Sequence, residues 1–184
     1  KLEKENKMKI RNIIITLVSA IALLISASTV SFAKVVGDKI ILGAAVSLTG
    51  KYSSNGVHTQ NGYNLAVERI NGMGGVTVGG KSYKFEIIYY DDESNSGRAA
   101  QLAERLIKQD GVQFMLGPYS SGLTKAMAPV TEKYGIPMVE ANGASRSLFT
   151  KGYKYLFAVL APANLYLDVA ITTAVELNGG KPVK

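Results

Sequence analysis

Apolar and polar positions along this chain switch between a strand period and a helix period, and the switches predict its elements. Lys39–Val46 (KIILGAAV) is a short apolar run, the pattern of a buried strand. Ser47–Gly56 (SLTGKYSSNG) is a polar, glycine-containing loop. Val57–Asn71 then sets Tyr63, Ala66, Val67 and Ile70 on one helical face, and Gly72–Gly75 ends it. Val76–Val78 and Ser82–Tyr90 read as a hairpin closed near Gly79 and Gly80. The polar loop Asp91–Asn95 can cap a helix over Gly97–Gln109, with Ala99, Leu102, Ala103, Leu106 and Ile107 on one face.

The alternation continues with a short strand at Gln113–Leu116 and a turn at Gly117–Gly122 (GPYSSG). Leu123–Tyr134 aligns Leu123, Ala126, Met127, Val130 and Tyr134 as a helix, stopped by Gly135. Pro129 inside it cannot donate to the carbonyl of Lys125, which predicts a kink. Ile136–Val139 is a strand, Glu140–Ser147 (EANGASRS) a loop, and Tyr155–Val159 another strand. Pro162 and Asn164 open a last helix to about Leu177, closed by Gly179 and Gly180. Strands alternating with helices over short connections predict an α/β fold, an open and mainly parallel sheet with helices on both faces. Such sheets bind ligands at the carboxyl ends of their strands. The loops Ser47–Gly56, Asp91–Ser96, Gly117–Gly122 and Glu140–Ser147 are therefore the candidate site.

Residues 1–33 have a different pattern. Lys1, Lys4, Lys7, Lys9 and Arg11 precede the uncharged run Ile13–Ile25 (IIITLVSAIALLI), and Ser26–Ala33 ends in Ser31-Phe32-Ala33. A basic stretch, a short apolar core and a small-x-Ala end predict a secretory signal peptide cleaved after Ala33; the alternative is an uncleaved membrane anchor, since the 21 residues Ile13–Ala33 carry no charge, although their second half is rich in Ser and Thr. Met8 is a natural start. Without a Cys to carry a lipid after cleavage, the expectation is a soluble protein in a periplasm.

Composition adds exclusions. The 184 residues are 47% hydrophobic and 19% charged, which suits a globular chain. Cys is absent and His58 is the only histidine, so thiolate and multi-His metal sites and a catalytic cysteine are excluded. The formal charge of +7 invites a nucleic-acid reading. Five of the 21 basic and two of the 14 acidic residues lie in 1–33, however, so the remainder carries +4, scattered without a basic block, and nucleic acid is not an expected partner.

The Gly117–Gly122 turn offers Ser120 and Ser121 beside the first amides of a helix, which lack internal partners and carry partial positive charge. That is an anion cradle, suited to a carboxylate or phosphate; the alternative is that one serine merely caps the helix. Glu140–Ser147 repeats the arrangement with Asn142, Gly143 and Ser145, although Asn142-Gly143 is also a turn pair. Ser53, Ser54 and Asn55 add a third polar loop. His58 reads as a surface histidine, and Asp91-Asp92-Glu93 as charge near a helix amino end rather than a cation site. Neither a nucleophile elbow, a Walker loop nor a G-x-G-x-x-G turn is present, so no residue is assigned as catalytic, and no cofactor or metal is expected.

These pieces together resemble a known family, the periplasmic amino-acid-binding proteins of ABC importers, of the leucine/isoleucine/valine-binding type with the type I periplasmic-binding fold. The resemblance rests on Ile40–Gly50 (IILGAAVSLTG), Gln60–Asn71 (QNGYNLAVERIN), Tyr89–Asp92 (YYDD), Gly117–Ser121 (GPYSS), Gly135–Val139 (GIPMV) and Ala141–Ser145, and fades near Ala161. It implies two α/β lobes closing on a small ligand, with a serine hydroxyl and turn amides gripping the ligand's α-carboxylate. On that resemblance the serine is Ser121, and the ligand-binding set is Asn55, Tyr119, Ser120, Ser121, Asn142, Gly143, Ala144 and Ser145. Two positions depart from the family: Asn55 stands where an aromatic lines the cleft, and Ala144 stands where a hydroxyl is usual, so Ser145 would substitute. The implied organisation is a signal peptide over 1–33, ligand-binding lobe one over 34–160, and over 161–184 a crossover and first helix of a truncated lobe two. The implied function is non-catalytic: capture of an amino acid, branched-chain-like or another small carboxylate, and delivery to the importer's permease subunits. Alternatives are the ligand-sensing domain of a receptor with this fold, and a small exported hydrolase using Ser120 or Ser121 with His58.

Overall fold

Among the described residues seven strands form one sheet: β1 Val35–Val36, β2 Lys39–Val46, β3 Val76–Val78, β4 Lys81–Asp91, β5 Met115–Leu116, β6 Met138–Glu140 and β7 Leu156–Ala158. The computed structural model describes residues 35–182, and the segment expected to be a signal peptide lies outside them. The strand order is β3-β4-β2-β5-β6-β7, with β1 paired to β2. From β4 to β7 every neighbouring pair is parallel, whereas β1 and β3 run antiparallel to their partners. The carboxyl ends of β2, β4, β5, β6 and β7 therefore share one edge of the sheet. Among the described residues four helices complete the fold: α1 Ser53–Gly72, α2 Ser96–Lys108, α3 Ser121–Tyr134 and α4 Asp168–Leu177.

β2 carries the centre of the sheet because both of its faces are apolar. Ile41 and Ala45 point into a core with Ala99, Leu102, Ala103 and Leu106 of α2, Leu123, Met127 and Ala128 of α3, and Met115 and Met138 of the neighbouring strands. By the period-two alternation of a strand, Ile40, Ala44 and Val46 face the other way and are also buried. On that second face α1 is tied to β4 through Asn71, whose side-chain amide donates to the Phe85 carbonyl and accepts from the Phe85 amide, each at 2.8 Å. Helices thus cover both faces, as the strand–helix alternation predicts.

The helical faces read from the sequence are confirmed most fully in α2, where Ala99, Leu102, Ala103 and Leu106 are all buried. Asn95 caps that helix, its Oδ1 accepting from the Arg98 amide at 3.0 Å. In α1, by contrast, Tyr63, Val67 and Ile70 are only half-buried, and Ala66 is exposed. α1 also starts four residues before the predicted Val57, because Gly56 lets its first turn lie directly on the Ser47 carbonyl. Ser53, Ser54 and Asn55 are accordingly helical rather than loop. α3 runs through Pro129 without a break. The last predicted helix divides into a short 3-10 turn at Ala163–Leu165 and α4 proper from Asp168. Leu167, Val169, Ile171 and Leu177 of this final segment are exposed, as are Phe157 and Val159 at and after β7.

Candidate functional site

The strand ends converge on a cleft of about 400 Å³, lined by Asn55, His58, Thr59, Gly62 and Tyr63 of α1, Tyr119 of the β5–α3 turn, and Ala141 and Asn142 of the loop after β6. Each wall has a local cause. α1 presents Asn55, Thr59, Gly62 and Tyr63 at helical spacing along one stripe. Tyr119 is steadied edge-on by Tyr52, with ring centroids 5.5 Å apart. The Tyr63 hydroxyl donates to the Gly117 carbonyl at 2.7 Å and so joins α1 to the β5–α3 turn. Burial pushes the Tyr63 phenol well above the ordinary tyrosine value, and the nearby Glu140 charge adds to the shift. Burial also pushes Tyr89 up to about 12; its hydroxyl donates to Asn64 Oδ1 at 2.8 Å.

Beneath the cleft lies Glu140, the last residue of β6 and fully buried. Its Oε1 accepts from the amides of Asn142 at 2.5 Å and Gly143 at 2.6 Å, and its Oε2 accepts from the Thr124 hydroxyl at 2.6 Å. Burial raises its carboxyl above the usual range, and these three donors oppose the rise. Space around it is tight. A Cβ added at Gly117 would meet Oε2 at 2.3 Å, and one at Gly143 would meet the Thr124 hydroxyl at 2.8 Å. At Gly117 the carboxylate occupies the volume a side chain would need, and at Gly143 the Thr124 hydroxyl and Leu148 occupy it first.

A second acidic node holds the neighbouring strand ends together. Fully buried Asp92 accepts from the Ser47 hydroxyl at 2.6 Å and from the Ser94 amide at 2.8 Å. Burial raises its carboxyl, and the adjacent Asp91 charge adds to the rise. Burial alone would raise Asp91 too. The Thr49 hydroxyl and the amides of Glu93, Leu48 and Thr49 together outweigh that and hold it below the usual carboxylate value. Asp91 and Asp92 thus fasten the loop leaving β2, and the capping role goes to Asn95. No group of acidic residues or histidine among the described residues is arranged to hold a metal ion.

Of the residues expected at the site, Asn55, Tyr119 and Asn142 are brought together on the cleft wall. Ser120, Ser121, Gly143, Ala144 and Ser145 are not among its lining residues. Ser120 occupies the N-cap position of α3 without a side-chain capping bond, so its hydroxyl is not consumed by the helix. Its carbonyl accepts the first helical bond, from the Thr124 amide at 2.9 Å. The Ser121 hydroxyl accepts from the Ser145 amide at 3.1 Å, which links the two loops and leaves its own hydrogen to donate. The β6 loop does not form the second anion cradle expected from its composition. The amides of Asn142 and Gly143 are spent on Glu140, and that of Ser145 on Ser121. The Ser145 hydroxyl shares a 2.9 Å bond with Ser147, and the Ala144 carbonyl accepts from the Ala163 amide at 2.8 Å. His58 is exposed, as expected of a surface histidine, but stands on the cleft wall, and no hydrogen bond joins it to Ser120 or Ser121.

Sequence reasoning left Thr59, Gly62 and Tyr63 off the site, and placed Glu140 and Ala141 in a candidate loop without giving either a role. Two signals were available: an acid ending the apolar strand Ile-Pro-Met-Val, and a tyrosine, with its polar tip, on an otherwise apolar helical face.

Comparison with known proteins points in one direction. The model of a family described as periplasmic binding protein matches residues 39–183. The leucine-, isoleucine-, valine-, threonine-, and alanine-binding protein of Pseudomonas aeruginosa is 28% identical over 133 residues, 72% of this chain and 34% of its own length. The branched-chain amino acid transporter substrate binding protein LivJ of Streptococcus pneumoniae, solved in complex with isoleucine, is 29% identical with a TM-score of 0.64, over 75% of this chain and 38% of that one. A solute binding protein of an ABC transporter from Rhodopseudomonas palustris, in complex with 3,4-dihydroxy benzoic acid, is 25% identical with a TM-score of 0.63, over 77% of this chain and 37% of that one. The chain spans about a third of the length of the curated relatives it matches.

Proposed function

Because the chain belongs to the periplasmic binding protein family, we propose that it serves as an extracytoplasmic solute-binding protein that captures an amino acid or another small carboxylate for an ABC importer. The observation that carries this reading is the cleft at the carboxyl ends of β2, β5 and β6, where a helix amino end meets a polar wall from α1. The Ser120–Ser121 turn is half-buried rather than sealed, and Tyr119 beside it opens onto the rim shared by Asn55 and Asn142. In this reading the first α3 amides and the Ser121 hydroxyl hold the ligand's negative end. Residues 34–160 act as one ligand-binding lobe, and residues 161–184 start the crossover to a second. The relatives' names favour branched-chain and small neutral amino acids. The tyrosines, asparagines and threonine of this wall, with Ala141 as its one aliphatic side chain, favour a ligand with polar as well as apolar surface.

The proposed role is binding rather than catalysis, in keeping with the binding proteins the chain resembles. Its partners are the ligand and the permease subunits, and its place is the periplasm, reached through cleavage after Ala33. Titration calorimetry of the full chain with leucine, isoleucine, valine, threonine, alanine and 3,4-dihydroxybenzoate tests this. Saturable binding of at least one, weakened by Ser121→Ala, is expected. Heat from none of them, or labelling of Ser121 by a serine-reactive phosphonate, would reject it.

A further inference from the structure

Buried acids are ordinarily paired with a cation or relocated to the surface. Glu140 is neither: it is fully buried, and among the described residues its oxygens meet two amides and a hydroxyl rather than Lys, Arg or His. The three donors come from two elements that frame the cleft. Asn142 and Gly143 belong to the loop after β6, and Thr124 to the first turn of α3. A third element is packed onto the same carboxylate, because Gly117 of the β5–α3 turn leaves room for Oε2 and for little else. We infer that Glu140 is the positioning residue of the cleft: its carboxylate clamps the β6 loop to the amino end of α3 and thereby sets where Asn142 and the Ser120–Ser121 turn stand relative to a ligand.

The clamp works by charge-assisted hydrogen bonds, which are stronger than neutral ones and shorten with the ionised acceptor. It also explains why the loop amides are unavailable to a ligand, whereas the first amides of α3 have no partner within the helix. The titratable groups around Glu140 are the Tyr63 phenol from α1, whose charge state couples to it, and behind that Tyr89 of β4; His58 of α1 stands on the same cleft. Burial places the Glu140 carboxyl above the usual range, so its titration falls at higher pH than that of the exposed carboxylates.

Glu140→Gln is the decisive variant. The glutamine oxygen can accept from both loop amides, and its NH₂ can donate to the Thr124 hydroxyl, which then donates to the Ser120 carbonyl 2.9 Å away. The fold is retained and only the charge is lost. In the full chain, the amide proton shifts of Asn142 and Gly143 are expected to titrate together, with a midpoint above the ordinary carboxylate value. In Glu140→Gln they should move upfield and become insensitive to that titration; His58 is kept, so any contribution from its imidazole survives in the variant. L-leucine affinity, read by calorimetry at neutral pH, should fall about three- to tenfold in Glu140→Gln and further in Glu140→Ala. Amide shifts that neither titrate nor respond to Glu140→Gln would overturn the clamp. So would unchanged leucine affinity in Glu140→Gln. The inference of a positioning role rests on the proposed solute-binding function, but the two can fail separately: titrating amides with no ligand bound by any form would sink the function and leave the clamp in place.

Discussion

Substituting Gly56 by alanine sets two opposing effects against each other inside one helix. Alanine has the better helix propensity, worth about 1 kcal/mol relative to glycine in a helix interior. At Gly56, however, the new Cβ would lie 1.8 Å from the Ser47 carbonyl oxygen and 2.5 Å from its carbon. The obstacle is backbone, and it cannot retreat freely, because the Ser47 side chain is anchored to buried Asp92 at 2.6 Å. α1 would have to lift by about an ångström, and overpacking of this kind costs about 1–3 kcal/mol, occasionally more. An approach as close as 1.8 Å puts the cost at the upper end of that range, so the clash should win, with a net loss of about 1–2 kcal/mol, or about 2–8 °C in Tm for a chain of this size. Gly62 is the internal control. It lies in the same helix, yet nothing stands within 4 Å of a Cβ there, so Gly62→Ala should gain about 0.5–1 kcal/mol. Urea denaturation, comparing midpoints at equal m-value, measures both. Gly56→Ala as stable as Gly62→Ala would refute the claim that α1 is seated on Ser47 by close backbone contact.

Tyr63→Phe removes the bond to the Gly117 carbonyl and should cost about 0.5–1.5 kcal/mol, toward the lower end because water can enter the open cleft to replace it; an unchanged thermal midpoint would show that the phenol does not hold the β5–α3 turn. Asp92→Asn should flatten the stability–pH curve. The folded carboxyl of Asp92 is raised by burial, so the native state keeps its proton where the unfolded chain has released it. Stability therefore falls as pH rises from the ordinary aspartate value through the folded one, and is level above it. Denaturation midpoints collected between mildly acidic and neutral pH should show that decline in the wild type and a smaller one in Asp92→Asn; identical slopes would contradict it.

What the sequence determined by itself was the order and kind of the elements. The apolar run Lys39–Val46, the heptad-like face of Ala99, Leu102, Ala103 and Leu106, and the glycine-marked turns each follow from local periodicity, and local periodicity places a sheet with helices on both faces. It also pointed to the sheet edge that carries the cleft, since parallel strands leave their carboxyl ends together, and it named Asn55, Tyr119 and Asn142, which the fold brings onto that cleft. Tertiary structure alone decided which hydrogen-bonding groups remain open. Composition shows that Asn142, Gly143 and Ser145 carry amides; it cannot show that Glu140 and Ser121 take them, because those bonds depend on separations set by packing between β6 and α3. The early start of α1 was hidden for the same reason: a glycine reads as flexibility in one dimension, and only the Ser47 carbonyl lying beneath Gly56 turns it into a requirement for missing atoms.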